Sequence, residues 1–255
     1  MTARYAIYFS PAPHSALARF GAAWLGGDPA TGPAIEGIAP SRIVEMTETA
    51  RHYGFHATLK APFTLADGQT EAALDRALVE FAQRHAPVTG LRLTVGTLDG
   101  FLALLLPAES AGVRNLAAAC VRELDAFRRP PSEAELRRRR QAPLSTLEDA
   151  LLRRWGYPYV MEAFRFHMTL TSRLPDDERE RLLPALRRMA APVTDGAFAA
   201  DAVSLFQQED SDSAFRLLRR YPLDPGRARN IATKDATDCA SGPSLTKVRT
   251  SPPST

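Results

Sequence analysis

Two stretches, YGFHATLKAPF at 53–63 and FRFHMTLTSRL at 164–174, share the frame apolar–His–x–Thr–Leu. Both alternate apolar and polar residues, as half-buried β-strands do, because successive side chains of a strand point to opposite faces. In the first stretch the apolar residues share one face, while His56, Thr58 and Lys60 share the other. The pattern predicts a strand that packs on a core with one face and presents polar side chains with the other.

The second stretch repeats this arrangement. Its apolar residues share one face, and the polar face carries His167, Thr169, Thr171 and Arg173. If the two strands pack about a pseudo-two-fold axis, their polar faces meet across a cleft. That cleft would present two imidazoles, two threonine hydroxyls and two cations.

The elements that follow the two stretches also repeat in order. Each stretch is followed by a helical pattern, by APVTG at 86–90 or APVTD at 191–195, and by two strand patterns. We predict an α+β fold with two pseudo-symmetric lobes around a central cleft, each lobe an antiparallel sheet with helices on its outer face. A chance match of short motifs in a chain rich in Ala and Leu is the alternative.

Periodicity and turn signals predict the remaining elements. Asp99–Gly100 between two apolar runs indicates a hairpin, and Thr70 is a plausible N-cap. Gly and Pro favour a loop over 26–41. The other predicted elements are a strand at 4–10, helices at 14–25, 69–85, 112–127 and 176–190, two helices within 132–155, and a hairpin over 202–223.

Composition places the chain among ordinary globular proteins. Of its 255 residues, 45% are hydrophobic and 24% charged. No apolar run approaches the roughly 20 residues of a membrane span, and residues 1–11 lack the features of a signal peptide. Cys120 and Cys239 are the only cysteines, a sparse use typical of reducing compartments. We therefore predict a cytoplasmic protein with no membrane partner.

The positive net charge has a local origin. Residues 226–255 are rich in Ser, Thr and Pro and poor in large apolar residues, so we predict a disordered tail after one bilobal domain at 1–225. Removing the five basic and two acidic residues of 227–255 from the totals of 32 and 29 leaves 27 of each sign. The neutral domain argues against a nucleic-acid partner, although it leaves RNA open.

The polar residues of the two strands suit the hydrolysis of a phosphate ester. One histidine can deprotonate water while the other protonates the leaving oxygen, since the imidazole pKa lies near neutrality. Threonine hydroxyls, Lys60 and Arg173 can neutralise and orient the non-bridging oxygens. Residues 1–226 contain 26 arginines and a single lysine, Lys60. The ammonium of lysine is a compact charge that the guanidinium of arginine does not reproduce.

These residues resemble the two-histidine phosphoesterase superfamily, whose signature is a duplicated His-x-Thr/Ser-x motif with one copy in each lobe. The longer strings at 4–11, 53–63 and 164–174 resemble its branch of phosphonate-metabolism proteins from carbon–phosphorus lyase operons. The resemblance implies metal-independent hydrolysis of a cyclic phosphodiester, with no metal or other cofactor. It implies that His56 and His167 are the acid–base pair and that Thr58 and Thr169 bind phosphate.

The resemblance also suggests a substrate. A ribosyl cyclic phosphate from phosphonate breakdown is the natural candidate, namely 5-phosphoribosyl 1,2-cyclic phosphate opening to ribose 1,5-bisphosphate. The expected roles of Lys60, Thr171 and Arg173 in substrate binding rest on the strand-face argument alone.

Two other functions stay open from the sequence. The first is an RNA-end enzyme, either a 2′,3′-cyclic phosphodiesterase or a 2′-5′ RNA ligase, which the added helical stretch at 128–160 disfavours. The second is a non-catalytic module that binds a phosphate ligand. His52 and His56 have the spacing of helical metal ligands, but Gly54 between them argues against a metal site. We interpret the run 137–140 as a solvated helix face. The sequence does not decide the oligomeric state or which histidine is the base.

Overall fold

The computed structural model describes residues 3–26, 35–224 and Gly226. The predicted disordered tail therefore lies outside the described residues, apart from Gly226. The strands are β1 (Arg4–Phe9), β2 (Ala57–Thr64), β3 (Val88–Leu91), β4 (Thr94–Leu98), β5 (Phe101–Leu105), β6 (His167–Thr169), β7 (Phe198–Ala200), β8 (Ala202–Gln208) and β9 (Arg216–Pro222). The α-helices are α1 (Ala16–Leu25), α2 (Pro40–Tyr53), α3 (Glu71–Arg84), α4 (Ala111–Glu123), α5 (Glu133–Arg139), α6 (Thr146–Trp155) and α7 (Asp176–Thr194).

An antiparallel sheet with the strand order β4-β5-β6-β2-β1-β8-β9 forms the centre of the molecule, and β3 pairs with β7 in a second, smaller sheet. The predicted α+β class is confirmed. The two motif strands, β2 and β6, are neighbours at the middle of the large sheet, with Ala57 opposite Met168. Their pairing joins the sheets of the two lobes into one.

The apolar faces of the motif strands lie in the core as the alternation predicts. Ala57, Leu59, Met168 and Leu170 are all buried. Helices cover the sheet: α3 contacts β8 and β9, α7 contacts β4 and β5, and α4 contacts β2. Burial of these apolar faces stabilises the sheet that holds the polar residues of both motifs.

Two local signals give the structure that the sequence predicts. Thr70 precedes α3, and its hydroxyl accepts a hydrogen bond from the amide of Ala73 at 3.1 Å. Asp99 and Gly100 join β4 to β5 with φ angles of 46° and 87°. Because glycine adopts positive φ at little cost, Asp-Gly fits this tight turn.

Three segments differ from the sequence-based prediction. Helix α2 begins at Pro40, inside the predicted loop at 26–41, and proline is favoured in the first turn of a helix; residues 27–34 lie outside the described residues. The second APVT string forms the end of α7, whereas the first leads into β3. The predicted strand at 165–174 is regular only over β6, because the amides of Leu170 and Thr171 both donate to the carbonyl of Leu102.

Among the described residues, none of the helices is both long enough and apolar enough to cross a membrane.

Candidate active site

The register of the two motif strands brings their polar residues together crosswise. Since Ala57 is opposite Met168, the same register sets His56 opposite Thr169 and Thr58 opposite His167. Opposite residues of antiparallel strands have Cβ atoms about 5 Å apart, and diagonal neighbours such as the two histidines lie about 7 Å apart. A phosphoryl group can therefore lie between the two imidazoles.

Both motifs line one cavity of about 750 Å³, which we call the histidine cavity. This volume lies within the range of small-molecule sites in proteins. The four motif side chains that line it are His56, Thr58, His167 and Thr169. The sequence-based prediction that the two polar faces meet across a cleft agrees with this arrangement.

His56 is held in one orientation. Its Nδ1 donates to the carbonyl of Gly54 at 2.9 Å, its Nε2 accepts from the hydroxyl of Thr58 at 3.2 Å, and its ring stacks on Tyr8 with centroids 3.8 Å apart. Gly54 has φ 75°, which lets the chain turn from α2 into β2 and present this carbonyl. Burial and, to a smaller extent, the nearby His167 lower the pKa of His56 to about 4, although the hydrogen bond to the Gly54 carbonyl opposes the shift. His56 is therefore neutral at pH 7.

His167 is anchored in the same way. Its Nδ1 donates to the carbonyl of Arg165, two residues upstream, at 2.8 Å. Its ring lies 5.8 Å from that of Phe101. Burial lowers the pKa of His167, while the Arg165 carbonyl and the carboxylate of Asp99 oppose the shift. Because the backbone occupies Nδ1 of both histidines, Nε2 is the atom that each offers to a ligand.

Lys60 does not lie on the polar face with His56, which corrects the sequence-based expectation. The pairing of β2 with β1 is irregular. Between Tyr5 and Ile7, and again between Ile7 and Tyr8, strand β2 contains one residue more than β1. Such bulges interrupt the alternation of faces. The buried Nζ of Lys60 donates to the carbonyl of Val121 and to the carboxylate of Asp125, both at 3.2 Å, away from the histidine cavity.

Thr171 and Arg173 both line the histidine cavity as predicted, but the chain is no regular strand there and Ser172 between them lines the cavity as well. The hydroxyl of Thr171 is buried and accepts a hydrogen bond from the amide of Leu102 at 3.0 Å. Its own proton is therefore free to point elsewhere. Arg173 is exposed at the cavity wall, where its guanidinium can reach a ligand.

Several lining residues were not found from the sequence. Tyr8, Tyr157, Arg4 and Arg139 all line the histidine cavity. Arg139 belongs to the run interpreted as a solvated helix face, and this interpretation is wrong for Arg139, which is half-buried. Its position depends on how α5 packs, and the run of arginines gives no local signal that one of them turns inward.

The lining of the histidine cavity is positively charged. Its described lining residues include the three arginines Arg4, Arg139 and Arg173 but no Asp or Glu. Two neutral imidazoles, hydroxyls and guanidinium groups together form a setting that favours an anion. In the part of the chain that the structure describes, no group of three or more His, Cys, Asp or Glu side chains is placed to hold a metal ion.

Comparison with known proteins gives one family match and two curated relatives. Residues 58–216 match the family described as "Protein of unknown function (DUF1045)". The chain is 37% identical over 229 residues to ribose 1,5-bisphosphate phosphokinase PhnN of Janthinobacterium sp. (strain Marseille), covering 86% of this chain and 51% of that protein. It is 40% identical over 223 residues to the protein of the same name from Laribacter hongkongensis (strain HLHK9), covering 85% and 51%. The chain thus spans about half the length of the curated relatives it matches.

Solved structures with a similar fold include E. coli LigT in complex with 3′-AMP, with a TM-score of 0.42 and 14% identity over 88% of this chain and 99% of that chain. LigT in complex with NADP⁺ has a TM-score of 0.38 and 15% identity over 87% and 98% of the two chains. A structure described as a phosphoesterase has a TM-score of 0.41 and 12% identity over 88% and 99%.

Proposed function

We propose a function for this chain, which belongs to the family described as "Protein of unknown function (DUF1045)". The proposed function is metal-independent hydrolysis of a cyclic phosphodiester on a small sugar phosphate, and it is based on the histidine cavity. One observation carries the proposal. Two His-x-Thr motifs, set crosswise by the pairing of Ala57 with Met168, line a single cavity whose charged lining residues are all cationic among those described.

The proposed reaction transfers two protons. A water molecule attacks phosphorus on one side and gives its proton to Nε2 of one histidine. The bond between phosphorus and one ester oxygen of the cyclic phosphate breaks, and the other histidine donates a proton from Nε2 to that oxygen. The products are a phosphate monoester and a free hydroxyl, and the two imidazoles exchange protonation states before the next turnover.

We assign His56 as the base and His167 as the acid. The pKa of His56 falls to about 4, so this imidazole stays neutral and can accept a proton. Burial and the guanidinium of Arg165 lower the pKa of His167 as well, while its hydrogen bond to the Arg165 carbonyl and the carboxylate of Asp99 favour the protonated form. A bound phosphate anion raises both pKa values, since an opposite charge favours the imidazolium.

The hydroxyls hold the phosphate in this proposal. When substrate binds, the hydroxyl of Thr58 turns from Nε2 of His56 to a non-bridging oxygen, which frees Nε2 for water. Thr169 donates to another non-bridging oxygen, and Arg173 neutralises the charge that develops on these oxygens. The hydroxyl of Thr171 accepts from the Leu102 amide and donates its own proton toward the cavity. Lys60 has no direct part, because its ammonium is buried against α4.

The names of the curated relatives support a ribosyl substrate. Both relatives are named for ribose 1,5-bisphosphate, which is the product expected from hydrolysis of 5-phosphoribosyl 1,2-cyclic phosphate. Since this chain spans about half of their length, the kinase activity in the name is not assigned to it. A protein that combines a domain like this one with a kinase would make and consume the same sugar bisphosphate.

A substrate panel tests the proposal. We expect the protein, with EDTA present, to hydrolyse 5-phosphoribosyl 1,2-cyclic phosphate faster than 2′,3′-cyclic AMP or an RNA ending in a 2′,3′-cyclic phosphate, with products followed by phosphorus NMR. The double variant His56→Gln/His167→Gln is the control for contaminating activity. Preference for the RNA end would support the RNA-end enzyme instead, and binding without turnover of any cyclic phosphate would support the binding module.

A further inference from the structure

Two arginines of the histidine cavity lie apart from the catalytic pair. Arg4 and Arg139 also line a small adjoining pocket of about 50 Å³, which Glu135 lines too, and neither histidine lines that pocket. His167 and Arg173 instead border a different small pocket, which neither Arg4 nor Arg139 lines. The histidine cavity therefore has a histidine end and an arginine end.

Arg4 keeps its full positive charge at the arginine end. Its Nε and Nη2 both donate to the side-chain oxygen of Gln208, the first at 2.7 Å. Gln208 is buried, and its amide nitrogen bonds to the ring of His52 and to the carbonyl of Ser213. The partner that orients Arg4 is thus a neutral amide, which fixes the guanidinium without neutralising it.

Arg139 is the second cation at this end. It is half-buried, its guanidinium lies 5.1 Å from the centre of the Tyr157 ring, and it has no ion pair with any described residue. Burial lowers the pKa of Arg139, and so does repulsion from Arg138 and Arg4. Attraction from Tyr157 and Glu135 opposes this shift. The neighbouring Arg140, by contrast, pairs with Asp149 at 2.7 Å.

The carboxylate of Glu135 lines the adjoining pocket and attracts Arg139, but it is already engaged. Glu135 accepts hydrogen bonds from the amide and hydroxyl of Ser132 at the start of α5, and it lies 4.0 Å from Arg129. Arg4 and Arg139 repel each other, and neither forms an ion pair with a described carboxylate, so an anion between them is stabilising. A phosphate monoester suits this place, because its oxygens accept bidentate hydrogen bonds from guanidinium groups and its charge approaches −2.

We propose that Arg4 and Arg139 bind a second phosphate group of the same substrate, so that the protein selects cyclic phosphodiesters that also carry a terminal phosphate monoester. This inference rests on the proposed function, since it takes the histidine end as the place of the reacting phosphate. It makes Arg139, alone among the arginines at 137–140, a determinant of substrate choice.

A matched pair of substrates tests the inference. The pair is 5-phosphoribosyl 1,2-cyclic phosphate and ribosyl 1,2-cyclic phosphate, which differ only in the terminal phosphate. We expect kcat/KM of the protein for the phosphorylated member to be higher by about 10- to 100-fold, as for hydrogen bonds between charged groups. Arg139→Gln removes most of this preference by lowering kcat/KM for the phosphorylated member alone. Arg139→Lys, which keeps the charge, restores part of it, and the exposed Arg137→Gln on the same helix leaves both values unchanged.

Other outcomes overturn the inference. The inference fails if Arg139→Gln lowers kcat/KM for both members equally or for neither. Such a result leaves the proposed function intact. If the protein hydrolyses neither member, the proposed function fails, and calorimetric titration with ribose 5-phosphate and with ribose decides the subsite. Binding of ribose 5-phosphate but not ribose, lost in Arg139→Gln and kept in Arg137→Gln, supports the subsite. Any other binding result overturns it.

Discussion

The two halves of the catalytic site share a motif but differ in their surroundings. Both histidines use Nδ1 to donate to the carbonyl two residues upstream. His56, however, stacks on the buried ring of Tyr8 and accepts a hydrogen bond from Thr58, beside a strand of eight residues. His167 begins a strand of three residues near the hairpin turn at Asp99.

This difference shows how a duplicated motif can yield two unlike groups. The repeated sequence sets the backbone hydrogen bond and therefore the tautomer of each ring. The neighbouring elements set the pKa, which falls to about 4 for the buried His56, whereas His167 lies near the opposite charges of Arg165 and Asp99. A base and an acid are needed on opposite sides of the phosphate, and unequal surroundings can divide these roles.

The largest expected effect comes from removing either histidine. His56→Gln and His167→Gln should each lower kcat by about 100- to 10,000-fold, because each removes one proton transfer. The double variant should be little slower than the slower single variant, since the two groups act as a unit. Steady-state rates on the cyclic phosphate, with thermal unfolding to check the fold, measure this. Strictly multiplicative losses would mean that the two halves act independently.

A smaller effect is expected from the threonines, and it compares the two halves directly. Thr58→Val and Thr169→Val should each lower kcat/KM by about tenfold or more, because each removes a hydroxyl that donates to phosphate. Thr58→Val also removes the hydrogen bond to Nε2 of neutral His56. It should therefore raise the pKa of His56 that the acid side of the pH profile of kcat/KM reports, whereas Thr169→Val should not. Thr58→Ser and Thr169→Ser keep the hydroxyl and serve as controls. Full activity in both valine variants would exclude the threonines from phosphate binding.

The smallest expected effects come from Arg173 and Lys60, the two cations to which the strand pattern gives the same role. Arg173→Gln should lower kcat/KM by about tenfold with little change in thermal stability, because this exposed group lines the histidine cavity. Lys60→Met should leave kcat/KM within about threefold, because the lost contacts are to Val121 and Asp125. Asp125 keeps its ion pair with Arg128 at 2.8 Å in that variant. A larger loss of activity in Lys60→Met than in Arg173→Gln would reverse the assignment.

Local sequence patterns were enough to predict much of the fold. Alternation along the two motifs predicts strands with buried Ala57 and Met168, and Asp99–Gly100 predicts the turn between β4 and β5. These features depend on residues next to each other in the chain. The meeting of His56 and His167 in one cavity followed from the repeat, since related strands are expected to pack in related ways.

Features set by distant contacts were not predicted. The direction of Lys60 depends on the register between β1 and β2, which the composition of β2 does not reveal. The inward position of Arg139 depends on the packing of α5 beside Tyr157. Tyr8 lies against His56 because β1 pairs with β2. Alternation along β1 places Tyr8 and Tyr5 on opposite faces, but it does not reveal which face meets His56.

The pH dependence of kcat/KM for the cyclic phosphate, measured with EDTA present, tests the paired action of the two histidines most directly. kcat/KM reports the free protein, in which His56 loses its proton near pH 4 and the pKa of His167 lies below its ordinary value of 6.5. The rate should rise as His56 becomes neutral and fall as His167 loses its proton, which gives a bell with its maximum between about pH 4 and 6.5. A profile that is flat, or that rises steadily through pH 8, would contradict the assignment of His56 and His167 as base and acid.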